Sequence, residues 1–481
     1  MDFAPDPSFG EPPRQPSARP AAPAAVLGIR PAVMLIVGVV VGAGIFKAPS
    51  MVASLAGTPS WMFAAWLLGG VISLAGALCY AELATTWPHA GGDYHFLCRA
   101  YGRSVGFLFA WARFSVITTG SIALLAFVFG DYMQQALPLP GGPAVGAALY
   151  AAAVVLVLWA VNARGLRTGT SAQSWLTGVE VAGLLLLGVA ALWLIAGLAG
   201  QAAPPADALT GVAPPGPATF GLAMVFVLLT YGGWNEAAYI SAEMRHRRDI
   251  ARALVLSILV ITALYMLVTW AYWRGLGFAA MARSETVAAD LMRVAFGPVG
   301  EKAISLLVAL AALTSINATM IVGARTQYAL GGDWTLLARL AAWDSERGTP
   351  VVAMRVQNIA ALLLVALGAW AGGGFRSMVE FTAPVFWLFF LLVGVSLFVL
   401  RRREPAAHRP FRVPLYPVLP VLFCATCAYM LWSSLSFVSS QSLGGFNAAW
   451  IGVAVMALGG VLLLLLRWRS GPASPFPQPD R

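Results

Sequence analysis

The chain has 481 residues, of which 59% are hydrophobic and 10% charged, with a mean hydropathy of +0.78. That is too little charge to cover a water-soluble protein of this size, so a soluble globular fold is excluded. The net charge of +10 is dispersed in short clusters between apolar runs, which marks membrane topology rather than a nucleic-acid partner.

Residues 1–29 are rich in Pro and Ala and have no apolar core before a cleavage site; they read as a disordered cytoplasmic tail, not a signal peptide. About twelve apolar runs of roughly 20 residues follow, each long enough to cross a bilayer as helix. Segments 1 to 5 are expected at 31–51, 61–87, 104–133, 146–161 and 171–198, within a first repeat spanning 30–200. An external connection at 201–219 leads to a second repeat at 220–400, whose segments 6 to 10 fall at 220–242, 253–273, 302–330, 351–371 and 378–400. Segments 11 and 12, at 415–437 and 447–466, complete a stretch at 401–466 before a tail at 467–481. The expected fold is therefore all-α and integral to the membrane.

Arginine is concentrated in alternate connections: Arg30 before segment 1, Arg99 and Arg103 after 2, Arg164 and Arg167 after 4, and Arg245, Arg247 and Arg248 after 6. Arg339 and Arg355 follow segment 8, Arg401, Arg402 and Arg403 follow 10, and Arg467 and Arg469 follow 12. The positive-inside rule makes these connections and both termini cytoplasmic, in a multi-pass protein of the cell inner membrane. Cys79, Cys98, Cys424 and Cys427 read as reduced thiols, and the C-x-x-C pair as buried small side chains. His89, His95, His246 and His408 sit in cytoplasmic connections, and no HExxH, P-loop or nucleophile elbow occurs, so neither an enzyme nor a metal centre is expected.

Two segments are interrupted by glycine near their middles: Gly42-Ala43-Gly44 in segment 1 and Gly232-Gly233-Trp234-Asn235-Glu236 in segment 6. Hydrocarbon cannot hydrogen-bond a freed backbone group, so unwound chain at membrane depth lines a cavity or holds a ligand. Each break comes about 12 residues, or roughly 18 Å, into its segment, and the two segments enter from opposite sides, so the breaks meet at one depth. Small residues that merely let helices pack are the competing reading for segment 1. Asn and Glu beside the glycines of segment 6 count against it. Breaks five segments apart fit two inverted five-helix repeats, with segments 11 and 12 appended.

At these residues the chain resembles the amino acid/polyamine/organocation (APC) superfamily, in its amino acid permease branch. Gly42 to Phe46 resembles the glycine motif of that family's first helix, and Tyr231 to Asn235 its sixth. The run from Tyr80-Ala81-Glu82-Leu83 through Pro88 and Gly91-Gly92-Asp93 to Tyr101-Gly102 is similar to the signature closing its second helix. Arg325, Tyr328 and Gly348-Thr349-Pro350 resemble its exit from helix 8, and Arg409 to Pro414 its entry to helix 11. The resemblance implies the leucine-transporter-like five-plus-five fold and transport of an amino acid by alternating access. One position departs: where many bacterial members carry a lysine on helix 5, this chain carries Glu180.

An amino acid presents a carboxylate and an ammonium. The N–H groups of Gly42, Ala43, Gly44 and Ile45, at a helix start, suit the carboxylate. Carbonyls around Thr230, Tyr231 and Gly232 suit the ammonium, with Gly233 allowing close approach. Trp234 either covers the site as a gate or packs; Asn235 and Glu236 touch the substrate or the cytoplasmic gate, one of the two facing the site and the other the bundle. Glu180, about 14 Å deep, is a proton carrier, a sodium ligand together with Thr314 or Ser315, or a structural partner for a buried donor. Thr118, Thr119, Ser121, Asn317, Thr319, Phe381, Phe386 and Trp387 are secondary candidates for the pathway. Glu82, Asp93 and Arg103 fall at the cytoplasmic mouth, as an inner gate or as solvated or structural charges. The expectation is a permease taking up an amino acid with H+ or Na+ and needing no cofactor. Exchange against an amino acid or polyamine, and a non-transporting sensor, are the alternatives.

Overall fold

The computed structural model describes residues 28–88, 92–164, 170–197, 214–237, 249–333, 335–344, 349–440 and 448–470. Segment 1 is α1 (Ile29–Val40) and α2 (Ala48–Ala56), joined through extended Val41 and Gly42 and a 3₁₀ turn, Ala43–Phe46. Segment 2 is α3 (Pro59–Thr86), started by Pro59 and by the Thr58 hydroxyl, which accepts from the Trp61 N–H at 3.4 Å. A short helix that the sequence reading did not anticipate, α4 (Asp93–Tyr101), crosses the arginine-rich end; Gly102, at φ 90°, turns the chain into segment 3.

Segment 3 is α5 (Arg103–Ala112) and α6 (Thr118–Ala136), continuous through one π turn at Arg113–Ile117. Segments 4 and 5 are α7 (Pro143–Ala163) and α8 (Thr170–Ile195). Segment 6 is again broken, into α9 (Pro217–Thr230) and α10 (Trp234–Ala237). Segment 7 is α11 (Asp249–Leu276), followed by the short α12 (Phe278–Arg283). Segment 8 lies in α13 (Val287–Asp333), which bends at Gly297 (φ 67°) just before Pro298, so an unanticipated helical arm precedes the crossing. The last four are α14 (Val351–Trp370), α15 (Gly374–Arg403), α16 (Val418–Ser440) and α17 (Ala448–Ser470).

Among the described residues, nine of these spans are long and apolar enough to cross a bilayer unbroken. The shorter apolar stretches Pro217–Thr230 and Trp450–Leu465, with the broken pair α1–α2, bring the crossings to the twelve expected. Large apolar side chains point outward, including Leu149, Leu156 and Val157 of α7 and Leu67 and Val71 of α3. Such a belt is stable only against lipid, so this is a multi-pass membrane protein.

Four of the five segments of the first half pack on the counterpart five segments later: α2 on α9, α3 on α11, α6 on α13 and α7 on α14. The cross-pairs match as well, α6 on α15 and α13 on α8, as a two-fold relation between the halves requires. Outside this ten-segment body, α16 packs on α15, α9 and α3, and α17 packs on α15 and α5.

Candidate functional site

The two breaks face each other. A Cβ placed on Gly44 would stand 3.7 Å from the Thr230 side chain, and one on Gly42 would stand 3.7 Å from Ser315 Oγ. Gly233 has φ 109°, a conformation that L side chains rarely adopt, and it lets the chain turn within three residues before α10 starts. The freed backbone carbonyls are met by tyrosines from neighbouring helices. Tyr265 Oη of α11 lies 3.2 Å from the Val40 oxygen and 3.0 Å from the Thr230 oxygen, and Tyr132 Oη of α6 donates to the Phe46 oxygen at 2.5 Å. Unwound backbone at this depth is thus supported from the side away from the cavity.

Between the breaks lies a cavity of about 820 Å³. One wall is backbone: Gly42, Ala43 and Gly44 on one side, and Thr230, Gly232, Gly233 and Asn235 on the other. Thr118 and Ser121 from α6 and Ser315 and Thr319 from α13 also line it. Ile117, Leu124, Leu125, Leu229, Phe386, Phe389 and Phe390 make the rest largely apolar. The cavity extends along Met34 and Gly38 of α1 to Asp93 and Arg113, toward the arginine-rich end.

The structure therefore brings Gly42, Ala43, Gly44, Gly232, Gly233, Asn235 and Ser315 to one cavity and leaves other candidates behind its walls. Ile45 is fully buried and does not line it. The Tyr231 ring packs against Trp66 and Tyr265, and its hydroxyl donates to the Trp66 oxygen at 3.1 Å. Trp234 does not cover the cavity; its indole meets Tyr80, Phe390 and Phe423 edge-on. The side chain of Glu236 lies outside the described residues, although its backbone belongs to α10. Of the secondary candidates, Thr118, Ser121, Thr319 and Phe386 line the cavity, whereas Thr119, Asn317, Phe381 and Trp387 do not. Asn317 instead accepts from the Asn162 amide at 2.7 Å, tying α13 to α7.

Glu180 is buried on α8, beside Thr314, whose hydroxyl donates to the Ala311 oxygen at 2.9 Å, and near Tyr265. It lies outside the cavity lining but against the helices that carry the first break and Ser315. Two groups escaped the sequence reading. Arg113 enters the cavity from the π turn of segment 3, a feature often found at functional sites, and the signal was plain: one arginine inside an apolar run. Tyr265 gave no signal, being one tyrosine in a uniformly apolar segment.

Ion clusters stand at both ends. At the arginine-poor end the Lys47 ammonium, buried just after the first break, donates to Asp131 Oδ2 of α6 at 2.7 Å. It also donates to the Glu285 backbone oxygen at 2.6 Å and to Glu285 Oε2 at 2.7 Å, between α12 and α13. At the other end Glu82 is fully buried rather than solvated: its carboxylate accepts from Arg401 Nε and from the Val413 N–H, both at 2.7 Å, with Arg409 Nε at 3.6 Å. Beside it Glu404 accepts two hydrogen bonds from Arg99 at 2.7 Å and one from Trp87 Nε1 at 3.0 Å. The Arg99 hydrogen bonds, opposed by partial burial, hold the Glu404 carboxyl below the usual carboxylate range.

Comparison with known proteins agrees with this architecture. The chain is 28% identical over 461 residues to the Asc-type amino acid transporter 1 of Homo sapiens, covering 93% of this chain and 83% of the relative. It is 29% identical over 418 residues to the large neutral amino acids transporter small subunit 2 of Mus musculus, covering 85% and 76%. With the b(0,+)-type amino acid transporter 1 of Homo sapiens it shares 29% identity over 413 residues, covering 84% and 81%. The family model described as amino acid permease matches residues 27–462, so the paired breaks, the cavity and the twelve crossings belong to a member of the amino acid permease family of the APC superfamily.

Proposed function

We propose that this permease carries neutral amino acids across the cell inner membrane by alternating access, with the coupling ion handled at Glu180. The observation that carries the reading is the pair of opposed breaks sharing one cavity. Backbone from Gly42 to Gly44 meets backbone from Thr230 to Gly233, and the intervening space suits the carboxylate and ammonium common to every amino acid. The apolar wall of Phe386, Phe389, Phe390, Leu124 and Leu125 suits an uncharged side chain, in keeping with a relative named for large neutral amino acids.

With the arginine-rich end cytoplasmic, the cavity opens inward and the Lys47 cluster closes the outside. In that orientation the described conformation is an inward-facing stage of the cycle. Opening outward then requires α2 to part from α6 and from the chain around Glu285.

Glu180 supplies the coupling. A carboxyl this deep, beside a hydroxyl on α13, is a group that takes up and releases a proton as access alternates. Sodium held by Glu180 with Thr314, Ser315 and carbonyls of α1 is the second arrangement that the same residues favour. The test is uptake of radiolabelled leucine, alanine and serine into proteoliposomes under an imposed proton gradient and, separately, a sodium gradient. Uptake stimulated by one gradient supports coupling to that ion. Uptake that needs internal amino acid and ignores both gradients identifies an exchanger, and binding without flux identifies a sensor.

A further inference from the structure

We propose that the end of α15 and the chain leading from it to α16 bind an anionic phospholipid, with Arg402 and Arg412 on its phosphate and Leu415 and Val418 among its acyl chains. Residues 401–412 carry five arginines against one glutamate. Internal partners take up three of the five. Arg401 and Arg409 stand against the buried Glu82 carboxylate, and Arg403 donates to the Ala100 backbone oxygen at 2.7 Å. Glu404, the acid of the stretch, is already held by Arg99 and Trp87. Arg402 and Arg412 are exposed and have no hydrogen-bonding or acidic partner among the described residues. The two belong to one patch: Glu82 accepts from Arg401 Nε and from the Val413 N–H, both at 2.7 Å, so Arg402 and Arg412 are the chain neighbours of the two residues that meet there.

The apolar part follows at once. Leu415 takes φ 51°, a left-handed conformation that is costly for a residue with a Cβ. The turn is closed by the Val418 N–H donating to the Leu415 oxygen at 2.7 Å, and it leaves Leu415 73% and Val418 64% exposed. Strain that presents a leucine to water gains nothing. At the foot of a membrane segment the same side chain enters the acyl layer, and burial there offsets the strain. Tyr416 is fixed between these parts, with the Arg401 guanidinium 3.8 Å over its ring and Phe398 at 5.6 Å, at the depth where tyrosines favour the interface. Guanidinium groups bind phosphate through paired N–H donors, and a lipid is the phosphate source that also covers the apolar tip. Topology alone accounts for arginines at this end, but not for a leucine strained outward beside them.

The test is thermal melting of the purified full-length protein in dodecyl maltoside with rising mole fractions of phosphatidylglycerol or phosphatidylcholine. Phosphatidylglycerol should raise Tm saturably and phosphatidylcholine should not. Combining Arg402→Gln with Arg412→Gln should raise the half-saturating mole fraction about 30-fold, the effect of two charges lost beside an anionic headgroup. Leu415→Asn, which accepts the left-handed conformation but removes the apolar anchor, should shift it in the same direction. The control combines Arg30→Gln with Arg164→Gln, two exposed arginines of other connections, and should leave it unchanged. Equal stabilisation by the two lipids, wild-type binding by either loop variant, an equal loss in the control, or the same stabilisation by soluble glycerol 3-phosphate would each overturn the inference.

Should the loop variants fail to accumulate, amide hydrogen exchange on wild type in nanodiscs decides. Residues 409–418 should be better protected in phosphatidylglycerol than in phosphatidylcholine, and equal protection contradicts the site.

Discussion

Glu180 stands where the family resemblance leads one to expect a lysine, and the change of sign alters what the position can do. A fixed ammonium can stand in for a cation, whereas a carboxyl can bind one. Glu180→Gln keeps the shape and a polar side chain beside Thr314 while removing the titratable group. We expect this variant to bind substrate and to exchange it between the two sides, but to lose uptake driven by an ion gradient; gradient-stimulated uptake equal to wild type would remove Glu180 from the coupling step. Gly44 makes a separate claim on the cavity. A methyl there meets Thr230 at an ordinary 3.7 Å, so Gly44→Ala should accumulate and melt like wild type. It also occupies ligand space, and KM should rise by about an order of magnitude, the cost of forcing one close contact in a packed site. A variant with unaltered KM would show that substrate does not approach this stretch of backbone.

At the scale of elements, the breaks were legible because glycine at mid-membrane beside polar residues has few packing explanations. Which side chains of segment 6 face the cavity was not legible. Three residues between α9 and α10 reset the helical phase, so Asn235 turns inward while Tyr231 and Trp234 turn into aromatic clusters, and no periodicity carries across such a turn. The ties to distant helices were equally hidden, since Glu82 and Arg401 lie 319 residues apart. Those ties have separable consequences. Glu82→Ala leaves Arg401 and Arg409 without their carboxylate and should destabilise the protein by roughly 3 kcal/mol or more, read as a lowered melting temperature in detergent. Asp131→Asn weakens one side of the Lys47 cluster and should populate the outward-open form. A cysteine replacing Ser121 in the cavity wall should then react faster with a membrane-impermeant thiol reagent applied outside. Unchanged labelling would mean that this cluster does not hold the outer side shut.

For the whole molecule, the two-fold relation seen in the packing of α2 on α9, α3 on α11, α6 on α13 and α7 on α14 supplies two halves that can rock about a shared centre. Twelve crossings were readable from the sequence because bilayer thickness fixes segment length. The arm at the start of α13 and the helix α4 were not, because they lie outside the apolar runs that carry that signal. The central claim is that the opposed breaks form the transport site for an amino acid. Purified protein in proteoliposomes, given radiolabelled leucine, alanine or serine, tests it most directly. The account predicts saturable uptake of at least one of them by wild type, with KM raised by Gly44→Ala at equal protein amount. Absence of saturable uptake of all three by correctly inserted wild-type protein, with and without proton or sodium gradients and internal amino acid, would contradict it.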